Sequence, residues 1–255
     1  MSSAYGTIAR PVSGKDMATI LPRHVMLKCI ANANGNDHTS QPATLFKITS
    51  EPVLSDSPVA PYTLPATAHQ ALIDAMRKVF NGEVERGDTY PQEFLLDTAQ
   101  FHNYFFSGDA FVLIKGHCQK ATEVEARKDA NDWDKDLLGF FYIKPNFPIC
   151  NGGFIVNSSH RGLGIGSILG KAFLKLVPVI GYRASMFNLV FVSNEASIKL
   201  WRRLGFKEIG RIPDAGRLKG QGKGEGDDGK NEGFVDAIQF YWDFETMIVP
   251  AEYDA

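Results

Sequence analysis

The sequence predicts an α/β protein in which one mixed sheet is flanked by helices. Three observations predict it. Short apolar runs rich in aromatic and β-branched residues recur along the chain, most of them of strand length and bounded by turn-forming residues. Between them lie stretches whose apolar residues repeat at helical spacing. Finally, 255 residues suffice for one large core, while no apolar run approaches the roughly 18 residues that would span a bilayer.

Taken in order, residues 1–60 are rich in Pro, Ser, Thr, Asn and Ala and read as a partly irregular N-terminal arm with one strand at 44–49. The main domain is expected over 61–255. Residues 66–86 read as a helix with Leu72, Ala75, Met76, Val79 and Phe80 on one face and Gly87 past its end. The stretch 94–106 reads as a second helix, and its Phe101, Tyr104, Phe105 and Phe106 suit a core or a pocket wall. Strands follow at 110–115 and 137–143, separated by a charged connection, 123–136, expected as a solvated helix or loop. A strand at 153–157 precedes a helix marked by Ile165, Ile168, Leu169, Ala172, Phe173, Leu176 and Val177. A strand at 186–192, a helix from Asn194 to Leu204 and a final strand at 236–242 complete a mixed α/β sandwich. Residues 217–233, glycine-rich with charges of both signs, are expected as a flexible loop before that last strand.

The chemistry concentrates in His160-Arg161-Gly162-Leu163-Gly164-Ile165-Gly166, a glycine-rich turn between a strand and a helix. Such a turn leaves backbone N–H groups unpaired and aimed at one point, which favours a phosphate or pyrophosphate. The glycines allow close approach, and Arg161 adds a cation at the mouth. The dinucleotide fingerprint would need a glycine where Ser167 stands, and the nucleoside-triphosphate loop would need Gly-Lys-Ser/Thr. Neither is present. What remains, Arg-x-x-Gly-x-Gly, resembles the pyrophosphate loop with which the GNAT acetyltransferases hold acetyl-CoA.

A second string strengthens the resemblance. Asn194 can cap a helix through its side-chain oxygen, Glu195 suits the first turn, and Gly205 is a left-handed stop before Phe206. Asn-x-x-Ser-x-x-Leu-Trp-x-x-x-Gly-Phe, from Asn194 to Phe206, is similar to the GNAT motif after the fifth strand. In that family its Asn touches the pantetheine arm where two strands splay apart. The resemblance implies a mostly antiparallel GNAT sheet and places acetyl-CoA, as cosubstrate and without a metal, on Val156, Arg161, Gly162, Leu163, Gly164, Ile165, Gly166, Ser167 and Asn194.

Several rarer strings narrow the likeness, over roughly residues 60–245. They are Thr89-Tyr90-Pro91-Gln92, Gly139-Phe140-Phe141-Tyr142-Ile143-Lys144-Pro145-Asn146, Phe187-Asn188-Leu189-Val190-Phe191-Val192 and the stretch from Ile209 to Gly216. They resemble the fungal GNAT enzymes that acetylate L-azetidine-2-carboxylate, a toxic proline analogue. That likeness implies acetylation of the secondary amine of a small cyclic imino acid, with a role in detoxification and oxidative-stress tolerance. It also implies Asn151 and Asn188 as active-site amides and Phe154 as a substrate-side residue. Asn188 is the sharper candidate, since an amide within an apolar strand is costly unless satisfied. Asn151-Gly152-Gly153 is also ordinary turn chemistry.

Amide formation requires a neutral amine, an acetyl carbonyl within reach and stabilisation of the developing oxyanion. Many GNAT enzymes place a Glu on the fourth strand as base, but Cys150-Asn151-Gly152-Gly153-Phe154 holds no carboxylate. Water or the minor neutral fraction of the substrate is expected to supply the free amine. Trp201 stands where many relatives carry a Tyr acid, and is expected in the core or the CoA channel wall. His160 is a minor candidate base, and Cys150 lacks a neighbouring base to make it a nucleophile. A protein or polyamine acetyltransferase and a non-catalytic acyl-CoA sensor are the alternative readings.

Composition sets the remaining bounds. A net charge of −2 exerts no pull toward nucleic acid or anionic membrane. The lysines of 217–233 are offset by Glu225, Asp227, Asp228 and Glu232. Cys29, Cys118 and Cys150 lack metal-ligand spacing and cannot all pair, which fits a reducing compartment. Arg10, Lys15, Arg23 and Lys28 against only Asp16 allow a mitochondrial transit segment, but a cytoplasmic protein with a solvated arm is expected. The expected partner is a small molecule, with neither nucleic acid nor membrane; a homodimer is compatible with the resemblance.

Overall fold

The computed structural model describes residues 17–21, 23–27, 40–126, 132–146, 148–219 and 232–254. Arg10, Lys15, Lys28, Cys29 and residues 220–231 of the glycine-rich stretch lie outside the described residues.

Among the described residues, nine strands form one sheet: β1 (Arg23–Leu27), β2 (Gln41–Thr49), β3 (Thr63–Pro65), β4 (Asp109–Lys115), β5 (Leu137–Asn146), β6 (Ile149–Val156), β7 (Ala184–Phe191), β8 (Lys207–Lys219) and β9 (Glu232–Asp243). The order is β1-β2-β4-β5-β6-β7-β9-β8, with β3 parallel beside β2. Every other pairing is antiparallel except β6 with β7. β1 and β2 fall in the stretch expected as an N-terminal arm, yet they hydrogen-bond into the same sheet as the rest.

Among the described residues, six helices cover the sheet: α1 (Gln70–Arg86), α2 (Thr98–Phe105), α3 (Ala121–Ala126), α4 (Trp133–Asp136), α5 (Ile165–Ile180) and α6 (Glu195–Arg203). The strand period of two separates two cores. On β5, Phe141 and Ile143 turn toward α5, while Phe140 and Tyr142 turn toward α1 and α2. The first core gathers Leu169, Phe173, Leu176, Trp201 and Phe240; the second gathers Met76, Phe80, Phe101 and Phe105.

Three expectations are corrected. Helix α2 begins at Thr98 rather than near 94, because Asp97 and Gln100 form a capping box: the Gln100 N–H donates to Asp97 Oδ1 at 2.8 Å, and Asp97 N–H to Gln100 Oε1 at 2.9 Å. The connection 123–136 is not wholly solvated, since Val124 and Trp133 are buried in the second core. The stretch 217–233 is strand at both ends, where β8 runs to Lys219 and β9 starts at Glu232. Strand β8 itself escaped the sequence reading: its Gly210, Pro213, Asp214 and Gly216 look like turn residues. As an edge strand it tolerates them through register shifts, with Asp214 at φ 48°.

Candidate active site

Helix α5 opens at the glycine turn. Gly162 and Gly164 have φ of 83° and 78°, a left-handed conformation that only glycine adopts without strain. Gly164 is the N-cap residue and supplies no capping side chain; the first helical bonds run from Ser167 and Ile168 N–H to Gly164 C=O at 3.0 and 3.2 Å. The N–H groups of Ile165 and Gly166 precede those bonds, there is no acidic residue in the first turn, and a Cβ on Gly164 would meet open space. The result is an uncapped, positive helix end facing a cavity of about 1100 Å³.

Arg161, expected at the mouth of the loop, lines the cavity and also has a protein partner. Its guanidinium Nη2 donates to both Glu83 oxygens, at 2.7 and 2.9 Å, rather than standing free. Glu83 lies on the buried stripe of α1 and also takes bonds from Arg86 and, at 3.3 Å, from the Thr89 hydroxyl. Arg161 therefore clasps the loop to α1. A carboxylate on an apolar helical face, one turn past Phe80, was the available sequence signal.

The cavity continues into a gap between strands. β6 and β7 pair only at Cys150 and Ser185 and then diverge, while β7 breaks register with β9 between Phe187 and Val190. Val156, Leu200 and Asn194 flank the gap. The Asn194 Oδ1 caps α6 by accepting from Ser197 N–H at 3.2 Å, which leaves its Nδ2 for the cleft. Trp201 is 4% exposed, with ring centroids 4.8 Å from Phe154 and 4.6 Å from Phe187. It is a core residue with one edge on the cavity. Phe154 packs likewise between Phe141, Phe173 and Phe187 while lining the cavity.

The far end of the cavity is polar. Asn151 and Asn188 both line it. Asn151 Oδ1 accepts from Gly152 N–H at 2.9 Å, and Asn188 Oδ1 accepts from Asn146 Nδ2 at 3.3 Å. Each thus keeps a free Nδ2 donor. Beside them stand Tyr104, one of the aromatics expected in the core or a pocket wall, and Lys144 and Tyr142, which were assigned no site role from the sequence. The two hydroxyls lie 2.9 Å apart. Burial pushes both phenols above their ordinary range and pulls the Lys144 ammonium down to about 8. Gly153 makes room for this group, because a Cβ there would overlap the Tyr142 ring and hydroxyl. A charge ending an apolar strand reads as a strand terminus, so only the cavity reveals Lys144 as a site residue.

Other candidates resolve by burial. The Cys150 thiol is fully buried and pushed well above its ordinary range, so it is no nucleophile. His160 lines the cavity with Nε2 enclosed and no hydrogen-bond partner among the described residues. Among those residues there is no cluster of three metal-ligating side chains, and no helix is long and apolar enough to cross a membrane.

The acetyltransferase (GNAT) family profile matches residues 99–206, from α2 through the loop to the end of α6. N-acetyltransferase aca1 of Schizosaccharomyces pombe is 38% identical over 183 residues, covering 70% of this chain and 83% of its own. The chain belongs to the GNAT acetyltransferase family. Solved GNAT structures share the fold. A GCN5-related N-acetyltransferase from Kribbella flavida superposes with a TM-score of 0.53 at 23% identity, over 68% of this chain and 92% of its own. YncA of Salmonella typhimurium, solved with its cofactor acetyl-CoA, gives 0.51 at 15% identity over 71% and 94%. The matched region includes the diverging strands β6 and β7, and this chain is an N-acetyltransferase by family.

Proposed function

We propose that this GNAT enzyme transfers an acetyl group from acetyl-CoA to the secondary amine of a small cyclic imino acid such as L-azetidine-2-carboxylate. The observation that carries the reading is a single cavity running from the uncapped α5 end, through the β6–β7 gap, to the Asn151 and Asn188 amides. The residues fit an acyl-CoA: left-handed Gly164 and the first N–H groups of α5 would take the pyrophosphate, and Val156, Leu200 and Asn194 Nδ2 would flank the pantetheine arm. Bound acetyl-CoA supplies an activated thioester. Asn151 and Asn188 orient the acceptor and present N–H donors toward developing negative charge. The thiolate needs no acid, since a thiol pKa of about 8.5 makes it a tolerable leaving group.

The carboxylates on the cavity wall are already engaged. Glu83 is held by Arg86 and Arg161, Asp88 by Arg86, and Glu195 by Lys199. A polycationic acceptor finds no free counter-charge there among the described residues, which favours the imino acid over a polyamine. CoA release should rise on addition of L-azetidine-2-carboxylate and not with spermidine or peptides. Turnover on peptides alone would move the reading to a protein acetyltransferase, and acetyl-CoA binding without turnover on any amine would make the chain a sensor. Asn188→Ala should cost on the order of 10²-fold in kcat/KM, the scale of one lost transition-state donor, with acetyl-CoA affinity near normal. Undiminished turnover would remove Asn188 from the site.

A further inference from the structure

Lys144 sits on β5 opposite Asn151 of β6, on the sheet face that turns toward α1 and α2. Its Nζ stands 3.7 Å from the Tyr104 ring centroid and 4.0 Å from that of Tyr142. The two rings meet edge-to-face at 88°, so the ammonium rests in a corner of π-faces. It makes no ion pair or hydrogen bond among the described residues. A partly buried cation without an anion is costly, and cation–π attraction offsets only part of that cost. The neighbouring amides add donors, since Asn151 and Asn188 each accept a hydrogen bond through Oδ1 and keep Nδ2. Three donors, one of them charged, therefore converge on one end of the cavity, with no free carboxylate beside them among the described residues.

We infer that Lys144 is the counter-charge for a carboxylate carried by the acceptor, so that the enzyme selects amines bearing a carboxylate beside the reacting nitrogen. The inference rests on the acetyltransferase reading above and names the feature of the acceptor that the site recognises. The Lys144 ammonium lies over two ring faces, and burial lowers it to about 8, so its protonated form predominates at neutral pH. Tyr104 and Tyr142, the titratable groups packed against it, stay neutral there. A carboxylate bound at Nζ would raise the lysine again and keep it charged. An ammonium in that corner also repels a polyamine.

The test compares kcat/KM for acids with their carboxamides: L-azetidine-2-carboxylate, and open-chain N-methyl-L-alanine, each against its amide. Wild type should prefer the acids. Lys144→Met should shrink the acid-to-amide ratio at least tenfold, mainly through KM, and Lys144→Arg should recover part of it. An unmoved ratio, or a fall confined to kcat, overturns the inference while leaving imino-acid acetylation standing. Turnover of N-methyl-L-alanine but of no cyclic acid, with the ratio still collapsing in Lys144→Met, fails the imino-acid reading and keeps Lys144. Turnover of polyamines or peptides alone overturns both. If wild type acetylates none of these, titration of the labelled Lys144 ammonium with and without L-azetidine-2-carboxylate decides: an upward pKa shift supports the inference and an unmoved one overturns it.

Discussion

Among single residues, Lys144 couples stability to pH in a direction set by its burial. The folded chain holds this ammonium near 8, against 10.5 in the ordinary case. Between those values the unfolded chain keeps the proton and the folded chain releases it, so stability contributed by this site rises with pH from about 8 to 10.5. Below 8 both states are protonated and the folded state bears the full cost of the buried charge. Lys144→Met removes that titration. The variant should therefore outlast wild type in urea at pH 7, with the advantage shrinking as pH climbs through the window. A constant difference would show that Lys144 is not held off water. No sequence pattern announces this, because a lysine after Phe-Phe-Tyr-Ile looks like the solvated end of a strand. Asn188 was legible for the opposite reason, as an amide inside an apolar run.

At the scale of elements, the loop entering α5 divides its work between backbone and side chain. The helix end offers N–H groups whose direction depends on Gly164 being left-handed. The guanidinium of Arg161, 48% exposed, is held by Glu83, whose carboxyl is only 9% exposed. Gly164→Val places a β-branched residue at φ 78°, with strain of about 1–3 kcal/mol, and should weaken acetyl-CoA binding roughly tenfold or more. Arg161→Ala should weaken it less, since the N–H groups remain and only the clasp to α1 is lost. Titration calorimetry orders the two, and a larger loss in Arg161→Ala would return the guanidinium to the phosphate. The turn and the helix after it were legible because glycine spacing and a 3.6-residue apolar repeat are local signals. The clasp was not: Glu83 and Arg161 are 78 residues apart. Strand β8 was hidden for a related reason, since an exposed edge strand carries turn-like residues and little apolar alternation.

For the molecule as a whole, one aromatic layer ties the sheet to the cavity. Phe173 of α5 is fully buried, with centroids 6.2, 5.2 and 5.4 Å from Phe141, Phe154 and Phe187 on β5, β6 and β7. Phe173→Ala should cost about 3–5 kcal/mol, a fall in the unfolding midpoint of roughly 6–20 °C by calorimetry. A fall of a degree or two would mean that the layer closes over the gap. The sequence by itself determined the α/β class, the order of most elements, the glycine loop, the α6 cap and the GNAT resemblance. All of these depend on residues within about one element of each other, where periodicity, capping and φ preference act. Only the tertiary structure decided where the strands part, which partner Arg161 takes, and that Lys144 meets Tyr104, Tyr142 and Asn151. Those depend on strand pairing and on burial, which belong to distant parts of the chain brought together and leave no local pattern in either one.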